Sequence, residues 1–212
     1  GSIARLLRER GVTTPIQAIP TGIDLEFFAS GNGARYRKSL GIPHDAKVIG
    51  HVGRLAKEKN TIFLTEAVAK CLQDDPSTVF LVVGDGEARE EMLAILRKSA
   101  GKRRIHAVGT LTGRELADAY AAMDCFVFAS QTETQGLVLA EAMAAGKPVV
   151  AIDGPGVREI INDGENGVLL EGDASSDEFS ASLRGILNNA ELLEFCAAKG
   201  IVADCEMTTM PE

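Results

Sequence analysis

From residue 47 onward, short apolar runs rich in Val, Ile and Phe alternate with longer stretches in which apolar residues recur every three or four positions. An unbroken apolar run predicts a strand buried on both faces, whereas the three-to-four spacing predicts a helix packed along one stripe. The predicted strands are 48–52, 78–83, 104–108, 125–129, 149–152 and 168–170. Between them, Phe63, Ala67, Val68, Cys71 and Leu72 form one helical apolar face. Ala88, Met92, Ile95 and Leu96 form a second, and Leu116, Ala119, Tyr120 and Met123 a third. Two further helices are predicted over 177–187 and 190–198. This βαβ alternation implies an α/β fold, a Rossmann-like doubly wound parallel sheet of about six strands, with ligands outside the carboxyl ends of the strands. Ahead of residue 47 the pattern predicts a short amphipathic helix through Ile3, Leu6 and Leu7, a small strand over 16–19 and a loop around Gly22. No internal repeat, low-complexity tract or linker interrupts the chain, so one domain over 1–212 is expected.

Composition narrows the partners. The 212 residues are 45% hydrophobic and 25% charged, the averages of a soluble globular protein. With 22 basic against 30 acidic residues, the formal charge of −8 disfavours nucleic acid, and Lys102-Arg103-Arg104 reads as a solvated turn. The four cysteines, 71, 125, 196 and 205, have no CxxC spacing; the first two fall in apolar runs, as reduced thiols do. The expected compartment is reducing and cytoplasmic. No apolar stretch approaches the ~18 residues that span a bilayer. The chain begins abruptly in predicted helix, which points to a fragment of a longer protein.

The richest segment runs Ser130-Gln-Thr-Glu133-Thr-Gln-Gly136-Leu-Val-Leu-Ala-Glu141-Ala-Met-Ala-Ala-Gly146-Lys-Pro148. It follows a predicted strand; Gly136 opens a helix that Gly146 and Pro148 end. The N–H groups of Gly136, Leu137 and Val138 then project from the helix start, where a glycine lets a phosphate approach the backbone. Glu133 in the loop and Glu141 in the second turn border the same place, and carboxylates accept strong hydrogen bonds from sugar or ribose hydroxyls. A phosphorylated sugar fits that combination. Taken alone, Glu133 reads equally well as a helix cap and Glu141 as a solvated acid.

A second constellation, Gly53-Arg54-Leu-Ala-Lys57-Glu-Lys59-Asn60, lies between the first predicted strand and its helix. Arg54 can fork onto a diphosphate and Lys59 adds a mobile point charge, while Lys57 reads as solvated and Asn60 as a cap. Gly84-Asp-Gly86 begins like a dinucleotide fingerprint, but Arg89 stands where the third glycine belongs, which disfavours NAD. His44, His51 and His106 form no pair and no Cys/His cluster, so no metal is expected. Pro155, Gly156 and Gly164 read as turn residues.

These motifs, in this order, resemble the carboxyl-terminal half of retaining glycosyltransferases of the GT-B fold, family 4. The resemblance rests on Ile19-Pro-Thr-Gly-Ile-Asp24-Leu-Glu-Phe-Phe28, Gly53-Arg54-Leu55 with Lys59, and Val83-Gly-Asp-Gly86. It continues through the Glu133 and Glu141 pair, Glu141-Ala-Met-Ala-Ala-Gly-Lys-Pro-Val-Val, and Arg158-Glu-Ile-Ile with Gly164 and Gly167. It implies one half of a GT-B fold, with the amino-terminal acceptor domain outside these residues. It implies that Arg54 and Lys59 grip the donor diphosphate, Glu133 contacts donor-sugar hydroxyls and Glu141 the ribose hydroxyls. Gly53, Gly136, Leu137 and Val138 belong to the same donor site, and His106 and Val108 occupy the strand end where the family binds its base.

The implied activity is transfer of a hexose, with retention, from a UDP- or GDP-sugar to a sugar or lipid acceptor, without metal or other cofactor. Peripheral association with the inner face of a membrane is compatible with a lipid acceptor. The family's Glu-x-Phe-Gly is here Glu133-Thr134-Gln135-Gly136, a variant similar to that of some bacterial glycolipid glucosyltransferases. Two other readings stay open on the residues: a sugar-nucleotide epimerase of the same kind of fold, and a non-catalytic nucleotide-sugar sensor.

Overall fold

A computed structural model describes residues 2–17, 22–189, 191 and 193 of the chain. Among these, β1 (Lys47–Val52), β2 (Thr78–Val83), β3 (Ile105–Ala107), β4 (Cys125–Phe128), β5 (Val149–Ile152) and β6 (Val168–Leu170) form one sheet. Its order is β3-β2-β1-β4-β5-β6, with every pair parallel. The helices are α1 (Ser2–Glu9), α2 (Leu25–Ala29), α3 (Gly33–Leu40), α4 (Thr61–Asp74), α5 (Arg89–Ala100), α6 (Gly113–Ala121), α7 (Leu137–Ala144) and α8 (Ser176–Leu187). The predicted doubly wound parallel sheet is therefore the observed fold.

Each strand serves two cores at once. In β2, Val79, Leu81 and Val83 enter one apolar cluster while Phe80 and Val82 enter the other. In β4, Phe126 and Phe128 join the first cluster, Cys125 and Val127 the second. Helices α4, α5 and α8 cover the face of the second cluster; α2, α6 and α7 cover the first. Burial on both faces explains why the strands read as unbroken apolar runs.

Three differences from the sequence reading have local causes. The third strand loses a residue at each end because 102–104 winds into a 3₁₀ turn. Its Arg104 turns back to donate to the carbonyls of Leu72, at 2.7 Å, and Asp75, at 3.1 Å, so it closes the end of α4 instead of extending β3. No strand forms at Ile16 or Gln17, and the rest of the predicted strand over 16–19 lies outside the described residues. Two helices, α2 and α3, were not anticipated. Each is opened by a side-chain cap, Asp24 accepting from the Phe27 N–H at 2.8 Å and Asn32 from the Arg35 N–H at 2.9 Å. The predicted helix over 190–198 and Cys196 and Cys205 fall outside the described residues, apart from residues 191 and 193.

The first strand and the fourth are tied together at their amino ends. Asp124 accepts from the Val48 N–H at 2.7 Å and its own N–H donates to the Val48 carbonyl at 2.8 Å. Arg37 of α3 clamps the same point, donating to Asp124 at 2.7 Å and to the Ala122 carbonyl at 2.7 Å. At their carboxyl ends, β1 and β2 are extended by further backbone bonds, Gly53 N–H to Val83 O at 3.0 Å and Leu55 N–H to Asp85 O at 2.9 Å. Gly84 permits this: at φ +134°, a Cβ there would stand 1.9 Å from the Gly53 carbonyl oxygen. The Gly53-Arg54-Leu55 segment is thus seated on the turn after β2.

The expected consequence is that Gly84→Ala destabilises the chain by at least about 2 kcal/mol, since backbone must move to admit the methyl group. Gly185→Ala on exposed α8, where a Cβ meets nothing, should instead stabilise by ~0.5 to 1 kcal/mol. Urea midpoints of the two variants against the parent chain measure both effects.

Candidate functional site

The strand order reverses between β1 and β4, and their recorded ladder pairs only Ile49 with Cys125 and Gly50 with Phe126. Beyond it, the segment after β1 leads to α4 on one face and the segment after β4 leads to α7 on the other. A crevice opens between them, which is where open α/β sheets bind ligands. Arg54, Lys57 and Lys59 come from its first wall, Glu133 and the start of α7 from its second.

The two walls are joined by polar contacts. Lys59 Nζ lies 3.2 Å from Glu133 Oε2, with both side chains about three-quarters buried or more. Thr132 Oγ1 donates to the Glu58 carbonyl at 3.2 Å. Arg54 pairs with Glu58 one turn along its own loop and is largely exposed. The two cations matched to a diphosphate are therefore both held by carboxylates. Asn60, in left-handed conformation at φ 56°, precedes α4 without a side-chain cap; Lys57 is exposed.

Glu133 is bound into its own loop. Its Oε1 accepts from the N–H groups of Thr134 at 3.0 Å, Gln135 at 3.4 Å and Gly136 at 3.4 Å. Burial by itself raises its pKa, but the Thr134 N–H, the Lys59 ammonium and the Gln135 N–H outweigh burial and hold the carboxyl below its ordinary value. The capping role and the contact with Lys59 thus coexist on the two oxygens of one group. Gly136, at φ 65°, spends its N–H on Glu133, which leaves the Leu137 and Val138 N–H groups at the start of α7 with no acceptor among the described residues.

The loop is backed by 154–156, a segment whose part in the site was not evident from its turn-like sequence. Gly156 N–H donates to the Glu133 carbonyl at 2.9 Å, and a Cβ on Gly156 would fall 2.7 Å from the Thr134 carbonyl carbon. The Gly-Pro-Gly after the fifth strand was the available signal. Asp153 and Arg158 flank it as a two-bond ion pair, at 2.9 and 2.5 Å.

Glu141 sits four residues after Leu137, on the same face of α7. It is not solvated: its Oε2 accepts from the Tyr120 hydroxyl at 2.7 Å, and burial raises its pKa while that bond partly offsets the rise. Tyr120 was read from its spacing as core alone; the signal missed is that a buried phenol needs a partner. Val108 reaches the carboxyl edge of the sheet through its N–H bond to Val82 O at 3.0 Å. His106 lies within β3, half-buried, its pKa lowered by burial against a bond to the Arg103 backbone. With β2 between β3 and β1, neither is brought into contact with the Lys59–Glu133 pair among the described residues. His51 is buried in β1, its Nδ1 3.0 Å from the Val127 carbonyl, and His44 lies in a turn.

A model of the family "Glycosyl transferases group 1" matches residues 32–201. The chain is similar to the D-inositol 3-phosphate glycosyltransferase of Geodermatophilus obscurus, with 35% identity over 184 residues, 82% of this chain and 41% of that protein. It thus spans less than half the length of the curated relatives it matches. In structure it is similar to the C-terminal domain of a glycosyl transferase group 1 family protein, LpcC, from Francisella tularensis. There the TM-score is 0.75 at 29% identity, covering 85% of this chain and 95% of that one. It is also similar to Anabaena HepE in complex with UDP-glucose, with a TM-score of 0.77 at 25% identity over 88% of this chain and 51% of that one. Family model, motif order and a six-stranded parallel sheet agree, and the chain belongs to the group 1 glycosyl transferases of GT-B fold.

Proposed function

We propose that this chain is the donor-binding domain of a retaining glycosyltransferase that transfers a hexose from a nucleoside diphosphate sugar, UDP- or GDP-linked, to a sugar or lipid acceptor held by an amino-terminal domain. The observation that carries the proposal is the meeting of Arg54 and Lys59 with the Leu137 and Val138 N–H groups across one crevice. Cations and a helix start converging on one point make an anion site, and two phosphates span it better than one. The similarity to HepE, solved with UDP-glucose, supports a nucleotide-sugar ligand.

Departure of the diphosphate leaves negative charge on its oxygens while the sugar becomes oxocarbenium-like. Arg54, Lys59 and the α7 N–H groups meet that charge preorganised, and removing one donor of this kind costs ~2.7 to 4 kcal/mol of barrier. The diphosphate competes with Glu133 for Lys59 and with Glu58 for Arg54. Once its lysine turns to phosphate, Glu133 Oε2 is released toward the hydroxyls of the sugar. No metal is required in this scheme, because protein groups supply the positive field. Retention follows if the acceptor attacks from the face of the departing diphosphate. The compartment proposed is the cytoplasm, at the inner face of a membrane where the acceptor is a lipid; among the described residues no helix is long and apolar enough to cross one.

Three outcomes are expected. A thermal-shift panel of UDP-, GDP- and ADP-sugars should single out one donor, whose diphosphate binds more tightly by calorimetry than the matching nucleoside; equal affinities refute the phosphate site. Glu141→Ala should weaken that donor by ~1 to 3 kcal/mol with an unchanged circular dichroism spectrum, because a carboxylate bonded to hydroxyls is lost from a cleft. Lastly, the 212-residue chain should bind donor yet transfer nothing to lipid or sugar acceptors. Alignment of donor and acceptor in a closed cleft contributes ~7 to 11 kcal/mol, which half a cleft does not supply. Turnover by the isolated chain comparable to that of the full-length protein would place the acceptor site within these residues.

A further inference from the structure

Tyr120 has more than packing to do. Its ring is fully buried, edge-on to Phe28 with centroids 5.6 Å apart and tilted against Phe126 at 5.7 Å, so the position of its hydroxyl is fixed by the core. A phenylalanine would fill that space. The hydroxyl instead emerges at the crevice side of α7, with Glu141 Oε2 at 2.7 Å and the Val138 carbonyl at 3.4 Å. One proton serves one of them, and the shorter, charge-assisted bond to the carboxylate is the stronger. Among the described residues, Glu141 Oε1 has no partner. Glu141 also lies ~6 Å along the helix from Leu137, four residues at 1.5 Å, about the step from a phosphate at the helix start to the ribose that carries it.

We propose that Tyr120 is the positioning residue of the donor site: its hydroxyl anchors one oxygen of Glu141, so that the other is presented, ionised and in fixed orientation, to the ribose hydroxyls of the nucleotide. The inference rests on the donor-binding reading given above.

The charge balance supports it. Burial favours the protonated, neutral Glu141, and the Tyr120 bond is what opposes that tendency. Burial, then the charge of Glu141 and the bond to it, push Tyr120 well above the ordinary phenol value, so the proton stays on the tyrosine. The other elements packed here bring no competing charge. Glu26, the ionisable residue of α2, is exposed; Cys125 of β4 faces the opposite core; β5 carries no ionisable side chain. On α6, Asp118 is engaged by the Asn32 N–H and Arg35, and Glu115 and Arg114 lie on exposed turns. Ribose hydroxyls need an ionised acceptor, so affinity should fall on the acid side as Glu141 takes up a proton. Removing the Tyr120 hydroxyl raises that pKa further and moves the loss to higher pH.

The test compares UDP with 2′,3′-dideoxy-UDP by calorimetry, on the 212-residue chain and its Tyr120→Phe and Glu141→Ala variants, across pH. Tyr120→Phe is expected to weaken UDP about three- to tenfold, the worth of one hydrogen bond. It should leave dideoxy-UDP unchanged and shift the acid limb for UDP to higher pH. If Glu141→Ala abolishes the preference for ribose but Tyr120→Phe alters neither the preference nor the pH limb, the positioning role is overturned and the donor reading stands. If the parent chain binds UDP no better than uridine, or Glu141→Ala leaves the preference intact, the donor reading itself fails. Should Tyr120→Phe not fold, the parent chain carries the test. A slowly exchanging tyrosine hydroxyl proton is expected by NMR and should shift when UDP binds; one that UDP does not move refutes the inference.

Discussion

Two neighbouring parallel strands whose continuations leave toward opposite faces of a sheet must part at their carboxyl ends, and this parting of β1 from β4 is the constraint on which the rest of the structure depends. It follows from handedness. The chain winds β1-α4-β2-α5-β3 with helices on one face, then crosses by α6 on the other face to lay β4 beside β1. The amino ends of the two strands are pinned by Asp124 and Arg37, so divergence is confined to the end where the Arg54 and Glu133 loops emerge.

The crevice walls are then held apart by weak, replaceable bonds. Lys59 to Glu133 and Arg54 to Glu58 are partly exposed ion pairs of the kind that contribute little to stability, ~0 to 1 kcal/mol. They keep the cations in place and cost little to exchange for phosphate. Groups that must not move are secured differently. The Gly53–Leu55 segment is bonded to the turn at Gly84, the Glu133 loop is backed by Gly156, and Glu141 is held from below by a buried phenol. Close backbone contact fixes the scaffold, and exchangeable ion pairs line the cleft.

Much of this was legible in the chain. Strands at 78–83, 149–152 and 168–170 were read to the residue, because burial on both faces leaves an uninterrupted apolar run that few other environments produce. The short α2 and α3 were not, although Asp24 and Asn32 stand at their starts. Five and eight residues make too little of a helix to persist alone, and α3 buries no residue fully; contacts with α6, among them Asn32 and Arg35 with Asp118, hold it. Within the site, Arg54, Lys59, Glu133 and Glu141 were visible as residue types at loop and helix-start positions. Tyr120 was hidden because three-to-four spacing registers only that a residue faces the core.

The sequence by itself determined the alternation of strands and helices, the loops that carry charge and the helix start that can take a phosphate, since each depends on neighbours a few positions away. The tertiary structure alone decided which of those groups meet. Lys59 and Glu133 are 74 residues apart and Tyr120 and Glu141 are 21 apart. Their encounters depend on strand order and on the face to which each helix returns, properties of the whole sheet that no local pattern encodes.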